Sequence, residues 1–296
     1  MRQQLKSLQE RWLRRRWHAD AVALSKFANL NPCVVVTGGS EGLGYALADR
    51  FARGGHRLLL VARNLNALEE AASRLRGTTG AAVDVVAIDL TQPDAVPRLD
   101  ACLEALGVYV DVLVNNAGMG LSGRFETHAM DDLARLTDLN VRALTQLMRR
   151  YLPEMKIRGR GGVLNLASIG SYGPGPNQAA YYASKAYVLS LSEAVAHEVA
   201  GHGVRICAVA PGPVRTRFHA KMGAERAFYR WFSPPMPPEI VAALAYWGYV
   251  AGMRVVWPGV LTPFVALAMR LIPHRVLNVI VAALLKPRRT QHRPKD

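Results

Sequence analysis

Three cysteines in 296 residues are too few for a disulfide framework, and Cys33, Cys102 and Cys207 sit in apolar runs without metal-ligand spacing. The eight histidines are scattered, with no HExxH-type pairing. No metal is therefore expected. The longest uncharged apolar runs fall short of the roughly 18 residues that a membrane span needs. The N-terminal segment also lacks the apolar core of a secretory leader. Acids are scarce, with 22 Asp and Glu against 37 Lys and Arg, and the formal net charge is +15. Such a surplus attracts an anionic surface. Nucleic acid is not the expected partner, because no zinc-finger, RNA-binding or homeodomain pattern accompanies the charge.

What is present is a regular alternation of short apolar runs with helical patterns, the signature of βαβ units. Strands are expected near Cys33 to Thr37, Arg57 to Ala62, Val83 to Ile88, Val112 to Asn115, Val163 to Ala167, Val204 to Ala210 and Arg254 to Trp257. Helices are expected near Gly42 to Arg53, Leu65 to Leu75, Asp94 to Leu106, Met130 to Lys156, Gln178 to His202 and Pro238 to Gly252. The fold class is α/β, a doubly wound parallel sheet of seven strands in one Rossmann-type domain over residues 32–259. A basic segment, 1–31, precedes it, and an apolar extension with a basic tail, 260–296, follows.

Two places in this frame carry chemistry. The run Cys33 to Thr37 leads directly into TGGSEGLG, Thr37 to Gly44, and then into a helical pattern. A strand, a glycine-rich turn and a helix N-terminus let backbone N–H groups and the helix dipole approach a pyrophosphate. Further on, Tyr181 and Lys185 stand at i and i+4, on one helical face, and Ser168 ends the apolar run VLNLAS. An ammonium near a phenol favours the phenolate, which suits general acid and base work on an alcohol or a carbonyl. Tyr182 lacks a lysine at i+4 and would point about 100° away.

These motifs, with NNAG at Asn115 to Gly118, Asn140, and PGPVRT at Pro211 to Thr216, make the stretch from about Pro32 to Gly259 resemble the short-chain dehydrogenase/reductase family. The resemblance implies an enzyme that interconverts a carbonyl and a secondary alcohol by hydride transfer. Tyr181 would be its acid and base, with Ser168 orienting the carbonyl. Lys185 would depress the tyrosine pKa and bond the nicotinamide ribose, and Asn140 would hold a water in a proton relay. It also implies a cofactor cleft along Thr37, Gly38, Ser40, Gly42, Leu43 and Gly44, then Arg63, Asp89 and Leu90, then Asn116, Ala117 and Gly118, then Tyr181 and Lys185 themselves, and finally Pro211, Gly212 and Thr216.

NADP(H) is the expected cofactor, ahead of NAD(H). Ala62 stands where an NAD-type acid would accept from the ribose 2′-OH, and Arg63 beside it can grip a 2′-phosphate, with Ser40 adding a hydroxyl. Glu41 departs from the pattern, since many NADP-type relatives carry a basic residue there. Asp89 has a local alternative as the cap of the segment from Thr91.

Outside this core, RWLRRRW at 11–17 is a basic, aromatic helix candidate, and two apolar segments flank Pro273 ahead of the basic tail. Arg270, His274 and Arg275 interrupt these segments, which suits helices lying in a bilayer interface rather than crossing it. Packing against the core or a homodimer partner would use the same surface. The segment 217–238, with Phe228, Tyr229, Trp231, Phe232 and Met236, reads as a substrate lid with an apolar wall. A lipophilic substrate is expected, of 3-oxoacyl, lipid-ketone or steroid type, on a cytoplasmic protein held at the membrane surface. The alternative is a non-catalytic dinucleotide-binding interaction protein, which a broken catalytic set would favour.

Overall fold

Short β-branched runs that are apolar at every position, rather than every second one, suit strands covered on both faces. The structure, a computed structural model, describes residues 21–223 and 234–285. It contains β1 (Asn31–Thr37), β2 (Arg57–Ala62), β3 (Val83–Ala87), β4 (Val108–Asn115), β5 (Gly161–Leu166), β6 (Val204–Val209) and β7 (Val255–Val256). All are parallel, in the order β3-β2-β1-β4-β5-β6-β7. Alternate side chains feed two separate cores. Cys33 and Val35 join one, while Val34 and Val36 join the other. The strand order turns back between β1 and β4, which opens a crevice at their C-terminal ends.

The helices, in chain order, are α1 (Ala21–Ser25), α2 (Gly42–Arg53), α3 (Leu65–Thr79), α4 (Ala95–Ala105), α5 (Met130–Thr137), α6 (Leu144–Arg158), α7 (Ala179–Glu198), α8 (Phe218–Lys221), α9 (Pro238–Val250), α10 (Thr262–Leu271) and α11 (His274–Leu284). Two expectations need correction. Strand β4 begins at Val108 rather than Val112, because Asn31 to Cys33 pair with Val108 to Val110 before a register shift. The single helix expected from Met130 to Lys156 is interrupted by a π-helical turn over Asp138–Ala143. That wider turn carries Asn140, and such turns recur where a helix must present one side chain out of register.

The C-terminal extension folds as the apolar pattern suggests, with a break at Pro273 between α10 and α11. One face joins the core through Ala266, Met269, Leu277, Val281 and Leu285. It rests on the turn that follows Ser168, where a Cβ on Gly173 would come within 2.6 Å of Leu277 Cδ2. Arg270 anchors it to α7, lying 3.7 Å from Glu193 and over the Tyr172 ring. Its opposite face is open, with Val260, Leu261, Phe264, Leu267, Leu271, Val276 and Val279 each more than half exposed. Packing on the core therefore uses only half of these helices. No helix among the described residues is long and apolar enough to cross a membrane. The segment RWLRRRW, the residues Phe228, Tyr229, Trp231 and Phe232, and the basic tail lie outside the described residues.

Candidate active site

Strand β1 ends in a turn that glycine alone can make. Gly38 and Gly42 have φ of +65° and +57°, in the left-handed region. A Cβ on Gly44 would stand 2.1 Å from the Gly38 carbonyl oxygen, so the helix starts in direct contact with the loop. The loop is tied to the end of β4 by buried bonds. Thr37 Oγ1 donates to Val114 O and accepts from the N–H groups of Asn116 and Ala117. Asn116 Nδ2 donates to the carbonyls of Thr37 and Gly38. Thr37 and Asn116 thus shape the cleft with side chains already committed to backbone, while Gly42 and Gly118 line it with bare backbone. Leu90 points into one core and Leu43 packs against the other.

The other wall is catalytic in composition. Ser168 begins a short 3-10 turn, Ile169–Tyr172, and its Oγ accepts from Gly170 N, which fixes the hydroxyl at the end of β5. It hydrogen-bonds the Tyr181 phenol. Lys185 is buried, and its Nζ donates to Leu166 O at 2.6 Å, with Nζ 5.9 Å from the centre of the Tyr181 ring. Asn140, also buried, accepts from Met119 N and donates to Met119 O and Ser184 Oγ. A Cβ on Gly118 would come within 3.3 Å of Asn140 Oδ1 and 3.6 Å of Lys185 Nζ, so the bare backbone there leaves space between the cleft and these side chains. Ser168, Tyr181 and Lys185 meet at one end of that space, and Asn140 backs it.

The expected electrostatics need one correction. Burial pushes the Tyr181 phenol up, and the Ser168 hydrogen bond opposes this only in part. The Lys185 ammonium is turned to the Leu166 carbonyl rather than to the phenol oxygen. Burial also draws the Lys185 ammonium down, to about 8. At neutral pH the phenol therefore keeps its proton, as a donor to a carbonyl must. Tyr182 faces elsewhere, packed where a Cβ on Gly175 would fall 2.3 Å from its ring.

The sequence model of the short chain dehydrogenase family matches residues 32–227. The chain belongs to the short-chain dehydrogenase family. This short-chain dehydrogenase is 34% identical over 224 residues to sulfoacetaldehyde reductase of Chromohalobacter salexigens, covering 73% of this chain and 88% of the relative. A short-chain dehydrogenase from Sphingobium yanoikuyae in complex with NADPH superposes with a TM-score of 0.72 at 33% identity, over 80% of this chain and 92% of that one. The bulky-bulky ketone specific alcohol dehydrogenase from Comamonas testosteroni gives 0.67 at 32% identity, over 79% and 88% of the two chains. The protein is thus an oxidoreductase that acts on CH–OH donors, interconverting carbonyl and alcohol.

Elsewhere in this dehydrogenase, Arg63 is exposed at the end of β2, and its charge reaches Asp89. Asp89 accepts from Thr91 N and Oγ1, and although burial pushes its carboxyl up, those bonds and the charges of Arg63 and Arg135 hold it below the ordinary range. Asp89 therefore closes a turn at Thr91 rather than capping a helix, since α4 begins only at Ala95. Pro211 O accepts from Ile169 N and ties the PGPV turn to the Ser168 end of β5. Thr216 lies against the glycine loop, where a Cβ on Gly42 would come within 3.2 Å of its methyl group.

Within the segment expected as a lid, 217–238, sequence reasoning did not single out Phe218 or Met222. From Thr216 to Met222 the chain crosses above the site. Phe218 packs at a tilt against Tyr181, with ring centres 5.7 Å apart, and a Cβ on Gly120 would meet Met222 at 2.9 Å. Ser184, which completes the Asn140 cluster, was also unread, although its place three residues after Tyr181 was a usable signal. Gln178, buried just ahead of α7 with Nε2 unbonded among the described residues, had no sequence signal.

Proposed function

We propose that this protein is an NADP(H)-dependent carbonyl reductase for a lipophilic ketone or alcohol, held at an anionic membrane surface. The observation that carries the catalytic part is the cluster of half-buried Ser168 and Tyr181 with buried Lys185 beside the glycine cleft. A nicotinamide dinucleotide bound along that cleft supplies or accepts hydride. In the reduction direction, Ser168 holds the substrate oxygen and Tyr181 gives it a proton. Lys185, its Nζ held by the Leu166 carbonyl 5.9 Å from the centre of the tyrosine ring, would bond the nicotinamide ribose. Arg63 and Ser40 favour a 2′-phosphate over a free 2′-hydroxyl, in keeping with the NADPH carried by the Sphingobium relative.

For the substrate, the named relatives pull apart, since one is named for sulfoacetaldehyde and another for bulky ketones. What favours a lipophilic substrate is the open apolar face of α10 and α11, helices whose other face packs on the turn that follows Ser168. NADPH oxidation over a panel of 3-oxoacyl thioesters, lipid ketones, steroids and small polar ketones tests this. The expected result is turnover that increases with the apolar size of the ketone. Turnover confined to small polar ketones would refute the lipophilic reading.

The same face, edged by Arg270, His274 and Arg275, suits seating in an anionic interface. Full-length protein should float with phosphatidylserine-containing vesicles, less with phosphatidylcholine alone, and less at high salt. Leu267→Glu with Leu271→Glu, both exposed, should lower the bound fraction about tenfold. Equal flotation of this variant and the wild type would rule this face out.

A further inference from the structure

Glu41 is the one carboxylate in the glycine loop and the sequence neighbour of Ser40, so a 2′-phosphate received by Ser40 and Arg63 would come to the same loop. Alone it would repel that phosphate. In the fold it is not alone. Lys221, at the end of α8 and 180 residues away in sequence, is hydrogen-bonded to Glu41, and Arg217 at the start of α8 lies 3.9 Å from the same carboxylate. Two cations against one anion leave this corner of the loop net positive. Both cations belong to the segment that also packs Thr216 near Gly42 and Phe218 on Tyr181, so their placement is set by tertiary contacts around the cleft.

We propose that Lys221, assisted by Arg217, sets the dinucleotide preference of this enzyme by neutralising Glu41. The roof segment then supplies the positive charge that the glycine loop itself lacks. The inference rests on the NADP(H) reading above and names residues that the glycine-loop motif does not contain. At the separations available near the loop surface, an uncompensated carboxylate acts on a phosphate dianion through solvent. Its removal or exposure should therefore change affinity by about fivefold at low salt. Exposed charges are screened, so the effect should shrink as ionic strength rises.

The experiment is titration of purified full-length protein with NADPH and, separately, NADH, at low and high salt. It compares the wild type with Lys221→Ala, Glu41→Gln and the double variant. Lys221→Ala should weaken NADPH binding by about fivefold and leave NADH within twofold, because only NADPH carries the 2′-phosphate. Adding Glu41→Gln should restore NADPH affinity, since no carboxylate remains to be neutralised. If Lys221→Ala weakens both nucleotides equally, or the double variant is not rescued, Lys221 only packs the roof and the inference is overturned while the NADP(H) reading stands. If the wild type prefers NADH or binds neither nucleotide, that reading falls and takes this inference with it.

Discussion

Tyr181→Phe should lower kcat/KM by about 10²- to 10⁴-fold, the range expected when a general acid is removed. The substitution is clean in this setting. The ring keeps its contacts with Phe218 and Tyr182, Ser168 stays anchored through Gly170 N, and the dinucleotide cleft lies along other residues. Dinucleotide affinity should therefore stay close to that of the wild type, and thermal stability should change little. The raised pKa of the phenol adds a direction to the expectation. Because Tyr181 is protonated at neutral pH, reduction needs no prior proton uptake there, whereas oxidation needs the phenolate and should accelerate as pH rises. Steady-state kinetics in both directions, with whichever panel ketone is turned over and its alcohol, would check this. A variant within tenfold of wild type would remove Tyr181 from the chemistry.

Gly44→Ala should be the most damaging single methyl group in the cleft. The added Cβ would lie 2.1 Å from Gly38 O, 2.8 Å from Gly38 C and 2.4 Å from Asn116 Nδ2. Two of these are backbone atoms, and the third belongs to the side chain that holds Thr37 O and Gly38 O in place. The loop cannot yield without losing those bonds, so a stability loss of ~1–3 kcal/mol is expected from overpacking. Displacing the loop by about 1 Å would weaken productive cofactor binding by about 10²-fold. Gly77→Ala is the matched control, since it lies in α3 with nothing within 4 Å of the added methyl group. It should leave binding unchanged and, by helix propensity, gain up to ~1 kcal/mol. Melting curves and NADPH titration of the two variants decide it, and equal behaviour would show that close contact at Gly44 does not matter.

The contrast between those two glycines shows how far sequence reading reaches. Local periodicity and turn residues sufficed for β1, the glycine turn and α2, because each is made by near neighbours. The bounds of Gly42–Arg53 and Arg57–Ala62 match the expected ones for that reason. The π-helical turn at Asp138–Ala143 could not be read, because its cause is distant. Asn140 is drawn to the backbone of Met119, 21 residues earlier, and no propensity within the helix encodes that partner.

Charge was the least legible property. The spacing of Tyr181 and Lys185 placed them on one face, but spacing says nothing of where a long side chain turns. Burial and the Leu166 carbonyl decided that the ammonium leaves the phenol protonated. Glu41 looked like an argument against a 2′-phosphate until the fold brought Lys221 and Arg217 to it. The sequence by itself determined the α/β order, the glycine turn and the choice of candidate catalytic side chains, since these follow from local pattern and residue chemistry. The tertiary structure alone decided their protonation, the roof over the cleft and the open face of the C-terminal helices. Desolvation and long-range pairing depend on what surrounds a group in space, whatever its neighbours in the chain.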